Sequence, residues 1–232
     1  MTKSSLLRLS MTRSETACGW IYLIFEVCFL PVMLVLLNGL LPTPLDTGVL
    51  NFIYYCINFG AILVIFHRFL LKSLAAAGKN FWGFLQASVL GFVACWLANT
   101  GLTRLLGLLF PGFSNVNDAG IAVMAQQNLW LVAVGTVVLV PPVEETLFRG
   151  LLFRGLYEKN RAAAYLISAC LFSAVHILGY LGSFDALTLA LCFLQYIPAG
   201  LCLAWAYSKS GSIFASIVIH SAVNAICVYQ LR

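Results

Sequence analysis

Three short stretches in the second half of the chain carry side chains that can move protons or stabilise charge. They are PPVEETLFRG with Glu144, Glu145 and Arg149, FSAVH with Phe172 and His176, and HSAVN with His220 and Asn224. In each stretch two of these side chains are four residues apart, and residues at that separation share one face of a helix. The spacing therefore predicts three helices whose polar faces can converge on one site.

The side-chain types favour hydrolysis of an amide bond. A carboxylate and an imidazole that point at one water molecule can deprotonate it for attack on a carbonyl group. A second imidazole with a carboxamide one turn away, as in His220 and Asn224, supplies N–H donors for a tetrahedral oxyanion. Arg149 would neutralise and orient Glu145, which leaves Glu144 as the freer general base.

The elements that must position these side chains are membrane helices. The chain has 232 residues, of which 62% are hydrophobic and 9% are charged, whereas a soluble domain has about 25% charged residues. This composition excludes a soluble monomer, a disordered tail, a nucleic-acid-binding domain and a secreted disulfide scaffold. The 8 cysteines all lie in apolar runs without a CxxC pair, and we interpret them as buried apolar side chains.

A helix that crosses the hydrocarbon core needs about 20 apolar residues, and seven runs approach that length. The predicted fold class is therefore all-α, a polytopic transmembrane helical bundle of about seven spans. A further apolar stretch, Leu102 to Phe113, is short and contains a proline, so it predicts an interfacial helix, with an eighth span as the alternative. The seven runs are Ala17 to Leu41, Val49 to Leu71, Phe81 to Ala98, Ile121 to Val143, Ala162 to Leu181, Ala186 to Tyr207 and Ser212 to Tyr229.

Basic residues are distributed unevenly between the predicted connections. With the N-terminus inside, eleven of the 13 Lys and Arg residues fall on the inner side, and only Arg104 and Arg232 fall outside. Polytopic membrane proteins keep Lys and Arg on the cytoplasmic side, so this asymmetry predicts a cytoplasmic N-terminus. The three outer connections carry Asp46, Asp118 and Asp185.

Ionisable side chains at membrane depth face a bundle interior or a water-filled cavity. Glu144, His176 and Asn224 each lie fifteen residues from a basic residue of an inner connection, so they can share one layer of the bilayer. Pro141 and Pro142 interrupt the helical hydrogen bonding just before the glutamates, where freed backbone groups can line a cavity. A single intramembrane His or Asn usually stabilises the packing of two helices, but three coordinated motifs favour an active site.

These motifs resemble the three signature motifs of the CPBP family, also called Abi or the type II CAAX prenyl endopeptidases. The resemblance runs from about Val138 to Ile226 and includes SGSIFASIVIH before the third motif and the segment Pro198 to Tyr207 with Gly200. It implies an intramembrane endopeptidase whose cavity faces the cytosol. The implied roles are water activation by Glu144 and His176, an oxyanion hole of His220 and Asn224, and support of the site by Glu145, Arg149 and Phe172.

The first 120 residues are a region without a recognised motif, and residues 121–232 are the family-like catalytic core. Glu26, in the first region, is interpreted as a helix-packing or protonated carboxyl group. The expected substrate is a membrane-associated peptide or protein, prenylated or similar to a bacteriocin or pheromone. Glutamate chemistry requires no cofactor, but a metal stays open, and Glu144, His176 and His220 would be the ligands of a zinc ion.

Two other functions stay open. The same fold can act as a non-catalytic membrane partner in immunity or in the docking of signalling proteins, and charged midplane residues can also mark a transporter. The complete motif set favours the protease, and the sequence shows no inverted repeat, HExxH, GxSxG or GxGD motif. Without an ER retention signal, the expected location is a bacterial cytoplasmic membrane, with the active site open to the cytoplasm.

Overall fold

The computed structural model describes Leu7 and residues 9–231, so Lys3, Arg8 and Arg232, which entered the orientation prediction, lie outside the described residues. Eight helices and short connections make up this part of the chain, and no strand occurs in it. The predicted all-α fold class is thus confirmed. The helices are α1 (Arg13–Gly39), α2 (Thr47–Ile65), α3 (His67–Lys79), α4 (Phe81–Leu109), α5 (Val116–Tyr157), α6 (Arg161–Leu178), α7 (Ala186–Ser210) and α8 (Ile213–Tyr229).

Six of these helices, all except α3 and α8, are long and apolar enough to cross a membrane. Helix α8 is also apolar and has 17 residues, which is the lower end of the lengths that span a bilayer. The described part of the chain is therefore a multi-pass membrane bundle. Its six long helices and one shorter apolar helix are close to the seven predicted spans.

Two predicted boundaries are wrong. The stretch Leu102 to Phe113 is not a separate interfacial helix, because α4 runs without a break over 29 residues and includes most of it. The second run does not extend to Leu71, since α2 ends at Ile65 and a new helix begins at His67. Hydropathy did not reveal this break because Phe66, at the junction, is itself apolar.

Helix α5 has 42 residues and would be about 63 Å long if it were straight. The predicted run Ile121 to Val143 covers only its middle. The helix bends at Asn128, whose backbone is not helical (φ −152°, ψ 89°). It then takes π-helical geometry over Val134–Leu139 and Glu145–Phe153, on both sides of the paired prolines. Short π-helical segments are frequent at functional sites.

Polar contacts between helices define two ends of the bundle. At the first, Oγ of Ser212 donates to the backbone carbonyl of Ser73 at 2.8 Å, which holds the start of α8 against α3. We name it the α3 end. At the second, Nε2 of Gln195 donates to Oγ1 of Thr103 at 2.8 Å, and Nδ2 of Asn115 donates to Oε1 of Gln195 at 2.9 Å. We name it the Gln195 end.

Helix α7 is central and packs along α4 and α6. The approach to α6 depends on Gly200, because a Cβ atom at this position would lie 2.8 Å from the Cα atom of Ala169. A larger residue would force the two helices apart. The close approach also leaves the backbone carbonyl of Gly200 within reach of Arg149 from α5, so α7 forms part of the support for the motif residues.

Candidate active site

The carboxylate of Glu144 lies between the two motif histidines. Its Oε2 atom is 4.0 Å from Nε2 of His176 and 3.9 Å from Nε2 of His220. This oxygen is buried and has no hydrogen-bond partner among the described residues. Separations of this size between polar atoms are those that one bridging water molecule spans. Helices α5, α6 and α8 thus bring together a carboxylate and two imidazoles that the sequence predicted to converge.

His176 is oriented by its own helix and by α7. Its Nδ1 atom lies 2.7 Å from the backbone carbonyl of Phe172, which can only accept, so Nδ1 carries the proton. Nε2, on the side that faces Glu144, is free to accept from a water molecule. The imidazole also stacks on the ring of Tyr196, with ring centroids 4.1 Å apart. The Tyr196 hydroxyl donates to Oδ1 of Asp118 at 3.2 Å. Sequence analysis missed Tyr196 and gave Asp118 no role in the site, because neither lies in a motif.

His220 is fixed by the second glutamate of the first motif. Its Nδ1 atom lies 3.0 Å from Oε1 of Glu145, and the same oxygen accepts from Nη1 of Arg149 at 3.1 Å. Because Glu145 accepts through this oxygen, Nδ1 of His220 is the donor, which leaves Nε2 directed toward Glu144. The pairing of Glu145 with Arg149 was predicted from their spacing. The contact with His220 was not, because 75 positions separate the two residues.

Arg149 is fully buried, and its charge is compensated inside the bundle. Besides Glu145, it has the carbonyl of Gly200 as an acceptor, 3.2 Å from Nη2. Its guanidinium carbon lies 4.2 Å from the centroid of the Phe172 ring. The same ring also packs against His176, with centroids 4.6 Å apart. Phe172 therefore separates the buried cation from the imidazole and packs against both.

Asn224 is oriented by a backbone carbonyl that a proline leaves unpaired. The N–H of Val140 donates to the carbonyl of Gly135, five residues back, as in a π-helix. In the same register the carbonyl of Thr136 would pair with Pro141, which has no N–H. Nδ2 of Asn224 donates to that carbonyl at 2.7 Å. One N–H of the carboxamide is used in this way, and the second is available to a ligand.

A cavity of about 1070 Å³ joins these side chains. Cavities that bind small ligands measure about 300–1,000 Å³, so this one is large enough for a peptide segment. Its wall includes all four predicted catalytic side chains and Phe172. Glu145 and Arg149, by contrast, are fully buried behind the wall, where they hold other residues in place.

Residues 126–226 match the model of a protein family described as type II CAAX prenyl endopeptidase, Rce1-like. These residues, fewer than half of the chain, are similar to this Rce1-like family. The matched residues contain all three motifs, so the resemblance is confirmed. At the level of the family, this match supports a protease of the CAAX endopeptidase type. No curated protein and no solved structure gives a significant match.

The Rce1-like site has the donor types that zinc prefers, but not their spacing. Four-coordinate zinc holds nitrogen and oxygen ligands at about 2.0–2.2 Å, so neighbouring ligand atoms lie about 3.4 Å apart. Here Oε2 of Glu144 is 4.0 and 3.9 Å from the Nε2 atoms of His176 and His220. Among the described residues, no group of three His, Cys, Asp or Glu side chains is placed to hold a metal ion. As placed, the residues do not fit zinc, and no catalytic step is assigned to one.

The helices outside the family match contribute polar side chains to the cavity wall. Glu26 lies in a π-helical segment of α1, Phe25–Phe29, and its carboxylate accepts from the Tyr54 hydroxyl at 2.6 Å. Asn58, one turn after Tyr54, lines the same cavity. Sequence analysis assigned none of these residues to the site. Their only signal was the presence of polar groups in apolar runs.

The cavity is found at the Gln195 end of the bundle. Its wall includes Asn115, Gln195 and Gln230 at that end, and it includes no residue of α3 or of the connections 158–160 and 211–212. Sequence analysis placed the Gln195 end outside the cell but expected the site to open to the cytoplasm. These two predictions cannot both hold, because the cavity lies at the end with few basic residues.

Proposed function

We propose that this chain hydrolyses a peptide bond of a membrane-associated peptide or protein, with Glu144 as the general base. The observation that carries the proposal is the position of the Glu144 carboxylate. Its Oε2 atom faces the Nε2 atoms of two histidines across 4.0 and 3.9 Å, on the wall of a large intramembrane cavity. A water molecule bound between these groups is polarised by a carboxylate and an imidazole together.

The first step forms the bond between water and substrate. A proton of the water moves to Glu144 while the water oxygen attacks the carbonyl carbon, and the carbonyl oxygen becomes an oxyanion. The free N–H of Asn224 and a protonated Nε2 of His220 stabilise this charge. Glu145 supports the protonated imidazole, because it accepts the Nδ1 proton of His220. His176 positions the water through Nε2.

The second step breaks the substrate's C–N bond. The tetrahedral intermediate collapses, its oxyanion returns to a carbonyl group, and Glu144 gives its proton to the leaving amine. The products are a carboxylic acid and an amine, and Glu144 is ready for another water molecule. Arg149 takes no part in proton transfer, but it holds Glu145 and thereby the orientation of His220.

The proposed substrates are lipidated or otherwise apolar peptide segments. This follows from the family match and from the cavity, whose wall includes Val27, Pro31 and Val35 of α1. Apolar walls favour an apolar or lipid-modified segment over a hydrophilic one. CAAX-type, bacteriocin-like and pheromone-like peptides all have this character. We place the protein in a bacterial cytoplasmic membrane.

Peptide mass spectrometry of membranes tests this function. Membranes that contain the wild-type chain should accumulate product peptides that membranes with Glu144→Gln lack. The matched control is Glu158→Gln, which changes an exposed glutamate paired with Arg154 and should give the wild-type products. Equal peptide profiles for Glu144→Gln and wild type, at equal protein levels, would rule out the protease.

Metal dependence is measured separately on the purified protein. In the proposed mechanism a chelator leaves the cleavage rate unchanged, and metal content is the same in wild type and in His176→Ala. A zinc mechanism that involves Glu144 would instead predict reversible loss of activity on chelation and loss of metal from both His176→Ala and His220→Ala. That outcome would contradict the metal-free mechanism.

A further inference from the structure

The two ends of the bundle carry opposite charge. Among the described residues, one Lys or Arg, Arg104, belongs to the Gln195 end, together with Asp46, Asp118 and Asp185. Arg149 belongs to neither end, because it is buried behind the active site. The basic residues at the α3 end are Arg13, Arg68, Lys72, Lys79, Arg154, Lys159, Arg161 and Lys209.

Asp185 keeps its negative charge at neutral pH. This exposed carboxylate begins α7, where it accepts from the Thr188 hydroxyl at 2.6 Å and from the Thr188 backbone N–H at 3.0 Å. These hydrogen bonds, the hydroxyl first, hold the pKa of Asp185 below its ordinary value. The negative charge that Asp185 contributes to the Gln195 end is therefore a fixed feature.

Helix α3 has the character of a membrane-surface helix at the opposite end. It buries Phe69 and Leu70 and exposes Arg68, Lys72 and Leu71. A short amphipathic helix with basic residues on its outer side lies at the headgroup level and is attracted to anionic lipids, which are concentrated in the cytoplasmic leaflet. This contact favours the α3 end as the cytoplasmic end.

We infer that the active-site cavity opens to the non-cytoplasmic side of the membrane and cleaves a peptide segment that is exposed there. The inference rests on the proposed function. Among the described residues, eight Lys and Arg lie at the α3 end and one lies at the Gln195 end. An asymmetry of this kind directs the basic end of a membrane protein to the cytoplasm. The cavity wall is built from the opposite end, with Asn115, Asp118 and Gln230.

The depth of the active site in the bilayer agrees with this orientation. His176, whose Nε2 faces the Glu144 carboxylate, lies fifteen residues after Arg161 but only two before Leu178, where α6 ends. Fifteen residues are about 22 Å of helix in a hydrocarbon core of about 30 Å. The general base is therefore closer to the outer surface than to the cytoplasmic one. A peptide that stays in the cytoplasm cannot reach it. The substrate must first be translocated across or inserted into the membrane, so a membrane-translocation step must supply it.

Thiol labelling in intact cells tests the orientation without any need for activity. Ser183→Cys and Lys159→Cys place thiols on exposed connections at the Gln195 end and the α3 end, respectively. A membrane-impermeant maleimide should label Ser183→Cys in intact cells and Lys159→Cys only after permeabilisation. The unsubstituted protein gives the background from its native thiols. The reverse pattern would overturn the inference.

Access to the cavity itself is tested at Cys227, a native thiol on its wall. After labelling of intact cells, peptide mapping should find the maleimide on Cys227, and Cys227→Ser should remove that signal. Labelling of Cys227 only in inside-out vesicles would overturn the inference. Neither labelling result depends on turnover. If labelling contradicts the orientation but cleavage still requires Glu144, the orientation is wrong and the proposed protease function stands.

Discussion

The two regions of the chain, residues 1–120 and 121–232, both form the cavity, but they hold their side chains differently. In the second region Glu145 and Arg149 are completely buried and bonded to each other. In the first, only 6% of the most apolar stretch of α1 is buried, against 28% for α6. Proton transfer requires fixed distances between groups, whereas a wall that selects substrates requires only shape and polarity. Helix α1 is accordingly packed less tightly than α5 and α6, of whose most apolar stretches 22% and 28% are buried.

The match to the family model also distinguishes the two regions. It covers residues 126–226 and none of α1 to α4. Helix α1 nevertheless borders the cavity through Val27, Pro31 and Val35. We therefore expect changes in α1 to alter which peptide is cleaved, and changes in α5, α6 and α8 to alter how fast any peptide is cleaved.

Glu144→Gln should have the largest effect of any single change in the second region. Glutamine keeps the shape of the side chain but cannot take a proton from water, and loss of a general base typically slows turnover by about 10²–10⁴-fold. Turnover of a cleaved peptide by the purified protein measures the loss. If Glu144→Gln instead keeps the full biological effect at normal protein levels, the chain is a docking partner.

Glu145→Gln should damage both stability and activity. The change leaves the buried guanidinium of Arg149 without a counter-charge, and removal of one partner of a buried ion pair costs about 3–5 kcal/mol of unfolding free energy. Glu158→Gln is the matched control, because its partner Arg154 is also four residues away but the pair is exposed. Exposed pairs contribute about 0–1 kcal/mol. Unfolding in detergent compares the two, and equal stability would contradict the buried-pair argument.

Asn224→Ala should slow turnover by about 10²–10³-fold, the usual loss for one oxyanion donor. We expect the loss in kcat with little change in KM, since the oxyanion exists only after water attack. Thr136→Val is the control, because it keeps the backbone carbonyl that orients Asn224 and removes only the side-chain hydroxyl. A loss in KM alone would show that Asn224 binds substrate without stabilising the oxyanion.

Local patterns predicted the parts of this molecule that depend on one helix. Apolar run length identified the membrane-crossing helices, and the four-residue spacing identified the pair of Glu145 and Arg149. The contact of Glu145 with His220 and that of Asn224 with Thr136 join residues 75 and 88 positions apart. They depend on how α5 and α8 pack, and on the π-helical register of α5, which no local pattern reports.

The wrong predictions have a common physical cause. Hydropathy reports whether a segment prefers lipid, but not where a helix begins, ends or points. Pro111 marked a helix end correctly, since α4 ends at Leu109, but hydropathy did not show that this helix begins at Phe81 and includes Leu102. The cytosol-facing cavity, by contrast, was expected from the family resemblance alone and stays a prediction, whereas the outward-facing cavity is inferred from the charges of this chain.

Glu26→Gln should have the smallest effect, and it tests most sharply whether the two regions divide their tasks. Glu26 is a carboxylate that the first region contributes to the cavity wall, where it accepts from Tyr54 at 2.6 Å. Glutamine retains an oxygen that can accept the same hydrogen bond, so the wall keeps its shape. If Glu26 does not transfer protons, the variant should keep at least about half of the wild-type turnover, a barrier change of about 0.4 kcal/mol. Tyr54→Phe, which removes the donor, is the companion variant and should behave alike. A loss as large as that of Glu144→Gln, with normal expression, would mean that the first region supplies a proton-transfer group and that the division between wall and catalyst is wrong.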